Sequence, residues 1–260
     1  MVVFLSAVSG PDRPAKLQEF YRKLGVLHER TDGPYYLSDA DGSLDWPDRG
    51  IYIFFSADTD LELDPVEEWH ITRIGTVGDC AGSKSTLWER LRAHRGTKQG
   101  EYADGGNARG SIFRKHVGRA IIEDEGLEEK YPNWGTPHRN LPDELSTPEL
   151  RAQEHSLELR VSEYIRDLPF LVIDIPGNPG PDCDRARIEK NLIALVAHAR
   201  RTTPALKKDG WIGHCSPHAE VAKTGLWNID HVNAFYTGSI MTELGPFIES
   251  TDPVGYADAD

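Results

Sequence analysis

The sequence predicts a mixed α/β fold of the α+β kind: a small, mostly antiparallel sheet of about three strands flanked by helices. Two short runs, Gly50-Ile51-Tyr52-Ile53-Phe54-Phe55 and His70-Ile71-Thr72-Arg73-Ile74-Gly75, are rich in β-branched and aromatic residues. One acidic linker carrying Asp64-Pro65 joins them, so an antiparallel hairpin is the simplest arrangement. A third run, Phe170-Leu171-Val172-Ile173-Asp174-Ile175, is almost wholly apolar and fits a buried strand. Around these runs apolar residues recur at helical spacing.

The elements follow in chain order. Asp12-Arg13-Pro14 opens a helix with Asp12 as its cap, and Leu17, Phe20, Tyr21 and Leu24 fall on one face. Tyr35 to Trp46 is loop-like, and this N-terminal arm is expected to pack outside the core. After the hairpin, Ser83 or Ser85 is a suitable N-cap. In the helix that follows, Leu87 and Leu91 face the hairpin, and Arg90 and His94, four apart, share the next face.

Gly100 to Gly110 is a glycine-rich loop. It either brings main-chain N–H groups close to a phosphate or serves as a plain connector, and it is not a Walker loop. Ser111 caps a helix with Phe113, Val117, Ala120 and Ile121 inward and Arg114, Lys115 and His116 elsewhere. Arg109 and Arg114 flank its start, a natural place to hold phosphate. Glu123 to Leu145 reads as an excursion loop.

Thr147-Pro148-Glu149 starts another helix, with an apolar stripe of Leu150, Leu157, Val161 and Tyr164 and a polar side crowded with charge. Pro169 ends it. Beyond the third strand, Asp182 or Asp184 caps a helix whose core face is Ile188, Leu192, Leu195, Val196 and Ala199. In the tail, His214, Cys215 and His218 are three soft ligands within five residues, but no second pair completes a structural zinc site. Ser216-Pro217 instead starts a helix ending near Thr224-Gly225.

At 260 residues and 38% hydrophobic, the chain can build one sizeable domain or a core with elaborations. No run of apolar residues is long enough for a membrane span. The opening stretch lacks the features of a signal peptide, and three scattered cysteines without a CxxC suit a reducing cytoplasm. A net charge of −13 argues against a surface that binds polyanions everywhere. Yet Lys84 to Arg119 holds nine basic residues against three acids. One basic face on an acidic body fits a nucleic-acid site of limited extent; a solvated face is the bland alternative.

The ordered set Gly50-Ile51-Tyr52, then Arg73-Ile74-Gly75, then Arg90 and His94 on a helix, then Glu189 on a later helix resembles the GIY-YIG nuclease family. The resemblance covers roughly Arg49 to Ala199. It implies a GIY-YIG-like core at 49–201 with an insertion at about 97–168, an N-terminal helical arm at 1–48 and a C-terminal extension at 202–260 packed on the core. It also implies a metal-dependent endonuclease acting on DNA, with RNA an open alternative and a homodimer possible as in restriction members.

On that resemblance Tyr52 is the base or orienter of water, Arg90 pairs with the phosphate, and His94 tunes Tyr52 or holds a phosphate. Glu189 is the ligand of Mg²⁺ or Mn²⁺. Arg73, Lys84, Arg109, Arg114 and Lys115 contact nucleic acid. Asn228 is a loose match for a late asparagine that ties the family's active site together. The chain departs from the pattern at Arg73, where the family has its second tyrosine, and at Thr76, where excision-repair members carry Lys. An arginine cannot serve as base at neutral pH. A second reading is therefore a nuclease fold that binds nucleic acid without cutting it. A third is an accessory protein that meets other proteins through its acidic surface.

Overall fold

The computed structural model describes residues 13–56, 69–142, 145–202 and 210–255. The Asp12 cap and the Asp64-Pro65 linker lie outside these. Within them four strands, β1 (Tyr35–Tyr36), β2 (Gly50–Phe55), β3 (Ile71–Thr76) and β4 (Pro169–Asp174), form one sheet of order β1-β4-β2-β3 with every pair antiparallel. The mixed fold and the predicted hairpin are present. The sheet has one strand more than expected, because β1 is only two residues long and too short to leave a periodic signal.

Alternation along β2 divides the molecule into two layers. Ile51, Ile53 and Phe55 point to a core shared with α1 (Arg13–Thr31), α5 (Asp184–Thr202) and α7 (Ile240–Ser250). Tyr52 and Phe54 point to a second core built by α2 (Leu87–Arg95), α3 (Ile112–Glu125) and α4 (Thr147–Arg166). The N-terminal helix is thus not outside the core: Leu17, Phe20, Leu24 and Leu27 pack with the inner faces of β2 and α5. Both faces of β2 and β4 are covered, which explains why the third apolar run shows no alternation.

The helix ends follow local chemistry. Helix α2 starts at Thr86 rather than at Ser83 or Ser85, because Thr86 is three residues before Glu89 and closes a capping box with it. Ser146 and Glu149 do the same for α4. Ser111 caps α3 as its sequence predicts, accepting from the Arg114 N–H. Helix α6 (Ala219–Thr224) ends at Gly225, whose φ of 67° is the left-handed conformation that glycine tolerates. The stretch expected to be an excursion is partly helical, since α3 runs to Glu125, and it buries Tyr131 and Trp134.

Two buried arginines fix the layers. Arg185 on α5 is fully buried and donates to the carbonyls of Val77, Ile175 and Pro176, so the start of α5 is tied to the ends of β3 and β4. Arg114 on α3 is also fully buried and donates to Glu158 on α4, to the His94 carbonyl on α2 and to Ser162. Removing one member of a buried pair strands the other charge, at a cost of about 3–5 kcal/mol. Glu158→Ala should destabilise the protein by that order, read as a lowered midpoint in denaturant unfolding. A loss under about 1 kcal/mol would mean that water solvates Arg114.

Candidate active site

Tyr52 stands opposite Gly75 in the β2–β3 register, and its ring lies across that glycine. A Cβ at position 75 would come within 2.2 Å of the Tyr52 hydroxyl oxygen, so the close approach requires glycine. From α2, which Leu87 and Leu91 anchor to the same layer, His94 brings Nε2 to 2.8 Å from the Tyr52 hydroxyl. The other ring nitrogen, Nδ1, is 2.8 Å from Ser111 Oγ at the start of α3. Tyr52, His94 and Ser111 therefore form one buried hydrogen-bonded chain across three elements. Burial holds the His94 pKa well below its ordinary value, and the positive charges of Arg73, Arg90 and Arg114 add to this. The imidazole is neutral, with one nitrogen protonated.

Arg73 faces the same layer from β3, where it pairs with Phe54, two positions along from Tyr52. Its guanidinium lies 5.1 Å from the Phe113 ring centre and donates to the Trp227 carbonyl at 3.2 Å. Beside it the tail runs along the free edge of β3. Trp227 N donates to the Thr72 carbonyl, and the Asn228 amide both accepts from Ile74 N and donates to Ile74 O. Asn228 is thus a buried clamp on the strand that carries Arg73.

Glu189 reaches this edge from α5, half-buried. Burial pushes its carboxyl up to about 7, and the like charge of Asp79 adds to the effect. Arg73, the Thr76 N–H and Arg90 oppose it. Glu189 therefore shares one electrostatic neighbourhood with both arginines, although the three come from different elements. No group of three or more His, Cys, Asp or Glu side chains that could hold a metal occurs among the described residues. The donors present still suit a hard cation of the Mg²⁺ type, which takes one or two carboxylates and keeps waters and substrate phosphate as its other ligands. Two repelling carboxylates, one of them half-buried, are the charge distribution that such a cation relieves.

A family model described as the GIY-YIG domain matches residues 11–254. The chain belongs to the GIY-YIG family. The match extends well beyond the Arg49–Ala199 span that the motif residues mark. Neither a curated protein nor a solved structure matches the chain. Membership assigns it a nuclease-type domain of the GIY-YIG class. Around the hairpin, Tyr52 and His94 share a hydrogen bond, and the Glu189 carboxyl feels the charges of Arg73 and Arg90.

The basic residues expected on the phosphate path divide into two groups. Arg109 and Arg114 are corrected. The Arg109 guanidinium is filled by Glu154 at 2.5 and 3.1 Å and by the carbonyls of Asn133 and Thr136. Arg114 is filled as described above, and the glycine-rich loop closes over it. A Cβ at Gly106 would meet its guanidinium at 2.2 Å, so this loop packs on a side chain. Every guanidinium nitrogen of both arginines is engaged within the protein, so both serve packing rather than a phosphate path. Lys84 is exposed, and Lys115 is half-buried against Gly135. Sequence reasoning took Ser111 for a cap alone and missed its contact with His94, because only the fold brings α2 beside it.

Two outcomes follow. Gly75→Ala should cost about 1–3 kcal/mol by overpacking, and combining it with Tyr52→Ala should cost less than the sum of the two. Additive losses in a denaturant double-mutant cycle would contradict the contact. Glu189 protonates near neutral pH in the folded chain and only near 4.5 when exposed, so folding loses stability as pH rises between these values. Glu189→Gln should therefore raise the melting temperature of the metal-free protein at pH 8, with the gain fading toward pH 4.5. A Tm unchanged at pH 8 would place Glu189 in water.

Proposed function

We propose that this GIY-YIG protein is a metal-dependent endonuclease that hydrolyses DNA phosphodiester bonds. The observation that carries this reading is the buried Tyr52–His94–Ser111 chain beside Arg73, Arg90 and a Glu189 carboxyl raised by burial. Perturbed groups gathered from several elements are what a hydrolytic site needs. A reducing compartment fits the three scattered, unpaired cysteines.

Burial and three arginines oppose a positive His94, so the ring is neutral with one of its nitrogens protonated. The tautomer that serves this reading accepts the Ser111 hydroxyl at Nδ1 and donates Nε2–H to the Tyr52 oxygen. That donor fixes the Tyr52 oxygen, which serves as base or orienter of the attacking water. Arg90 and Arg73 face the phosphate and balance charge that grows on its oxygens. Glu189 would hold Mg²⁺ or Mn²⁺, and the cation would supply positive charge to balance the developing negative charge of the reaction. Arg73 also favours a second reading, a module that binds nucleic acid without cutting, since it removes one tyrosine from the site.

Supercoiled plasmid with Mg²⁺ or Mn²⁺ separates the two. Wild type should nick or linearise it, and Tyr52→Phe, Arg90→Ala and Glu189→Gln should each lose about 100-fold or more. Cleavage should rise with pH through about 7 as Glu189 ionises, because only the carboxylate holds the cation. Binding of DNA and RNA oligonucleotides without cleavage of either, under all these conditions, would leave the binding module as the function.

A further inference from the structure

A cleft of about 700 Å³ opens between α2, the glycine-rich loop and the N-terminal part of α4. Arg92 and Arg95 line it from α2, Lys98 from the loop that follows, and Arg151 from α4. Asp41 and Glu89 are the acids of its wall. The loop side is built of backbone. A Cβ at Gly105 would meet the His155 ring at 2.8 Å, so the chain is pressed onto the helices beneath it and leaves the cleft clear.

Arg95 marks this cleft as a site. It is only 8% exposed, yet among the described residues no carboxylate stands within ion-pair distance of it. Nη1 donates to the Ala40 carbonyl at 2.6 Å and Nε to the Gly96 carbonyl at 3.4 Å, while Nη2 has no acceptor among the described residues. The other buried arginines differ. Arg109 and Arg114 have Glu154 and Glu158, and Arg185 has carbonyls on all three nitrogens. A buried cation with an open nitrogen is costly unless an anion meets it. The acids of the cleft are turned elsewhere: Asp41 Oδ1 accepts from Ser43, and Glu89 Oε2 accepts from Thr86 N in the capping box. The cations at the rim are available. Arg92 and Arg151 are exposed, and the Arg151 guanidinium lies 4.4 Å from the Tyr102 ring centre, a stacking that fixes its plane and leaves its N–H edge free. Lys98 gives one proton to the Ser38 carbonyl and keeps two more.

A cation with a nitrogen to spare, more cations at the rim and acids already engaged select a phosphate. The position of the cleft decides which phosphate. At 3.6 residues per turn, Arg90 and Arg92 stand about 200° apart on α2, so the helix separates the cleft from the face that carries Arg90 and His94. The major groove of B-DNA, about 12 Å wide, admits an α-helix and has one strand on either side of it. We infer that the cleft holds a phosphate of the uncut strand of a DNA duplex, with the outer face of α2 in the groove and the scissile strand on the Arg90 side. The ligand rests on the nuclease reading, to which the cleft adds a preference for duplex over single strands.

The test measures oligonucleotide binding by fluorescence anisotropy, with a mixed-sequence DNA duplex and one of its single strands as probes, in metal-free buffer so that neither is cut. The proteins are the full chain and the same chain carrying Arg92→Gln and Arg151→Gln, two exposed positions outside the catalytic face. Wild type should bind the duplex more tightly than the single strand. The double variant should bind the duplex about tenfold more weakly, with a salt slope shallower by about 2, and should hold the single strand as wild type does. A wild type that prefers the single strand, or equal losses on both probes, overturns the assignment to the uncut strand. Duplex binding that the double variant keeps in full overturns the cleft as a DNA site, and plasmid cleavage by wild type then leaves the nuclease reading standing. A wild type that binds neither probe and leaves plasmid intact overturns both.

Discussion

The helical layer over Tyr52 is organised by one buried guanidinium. Arg114 joins α2, α3 and α4 at a single point: it donates to the His94 carbonyl, to Glu158 and to Ser162. The second oxygen of Glu158 accepts from Ala108 N, so the glycine-rich loop is tied to the same carboxylate. Every nitrogen of the guanidinium has an acceptor, the kind of satisfaction under which a buried charge is tolerated. His94 and Ser111 lie at the two helix ends that this network holds, and their 2.8 Å contact inherits its geometry. Packing of apolar faces alone would allow the helices to slide by fractions of an ångström, enough to break a hydrogen bond to Tyr52.

Chemistry collects at β3 because β3 is the edge of the sheet. In the centre, both faces of a strand are needed for the core. At the edge, α5 brings Glu189 from one layer while Arg73 and Tyr52 face the other, and the two meet around the side. An unpaired edge invites aggregation. Here Trp227 and Asn228 cover part of it with hydrogen bonds to Thr72 and Ile74, so protection of the edge and placement of Arg73 are one feature.

Much of this was legible in the chain. The hairpin runs, the Arg90–His94 spacing and the helix of Glu189 follow from local periodicity, and the order of those residues identified the family. What stayed hidden was mostly pairing at a distance. Arg109 and Arg114 look like surface cations because their partners, Glu154 and Glu158, lie on the charge-crowded side of a helix some forty residues later. A charge pattern shows which residues are ionic, not which carboxylate fills which guanidinium. Two-residue β1 gave no period to detect, and the packing of α1 under the sheet depends on topology rather than on its own amphipathic stripe. Thr86 was a local miss: the Thr-x-x-Glu signature was there to be chosen over the two serines.

The clamp of Asn228 on Ile74 has a consequence for the order of events during synthesis. The ribosome releases β2, β3 and α2 long before residue 228, and those elements alone leave the edge of β3 bare. Arg73 then has no Trp227 carbonyl to steady it, and Glu189 arrives on a helix still being made. The edge closes only once residues 227 and 228 have emerged. A half-made polypeptide therefore carries the signature residues without the edge contacts that hold Arg73 in place.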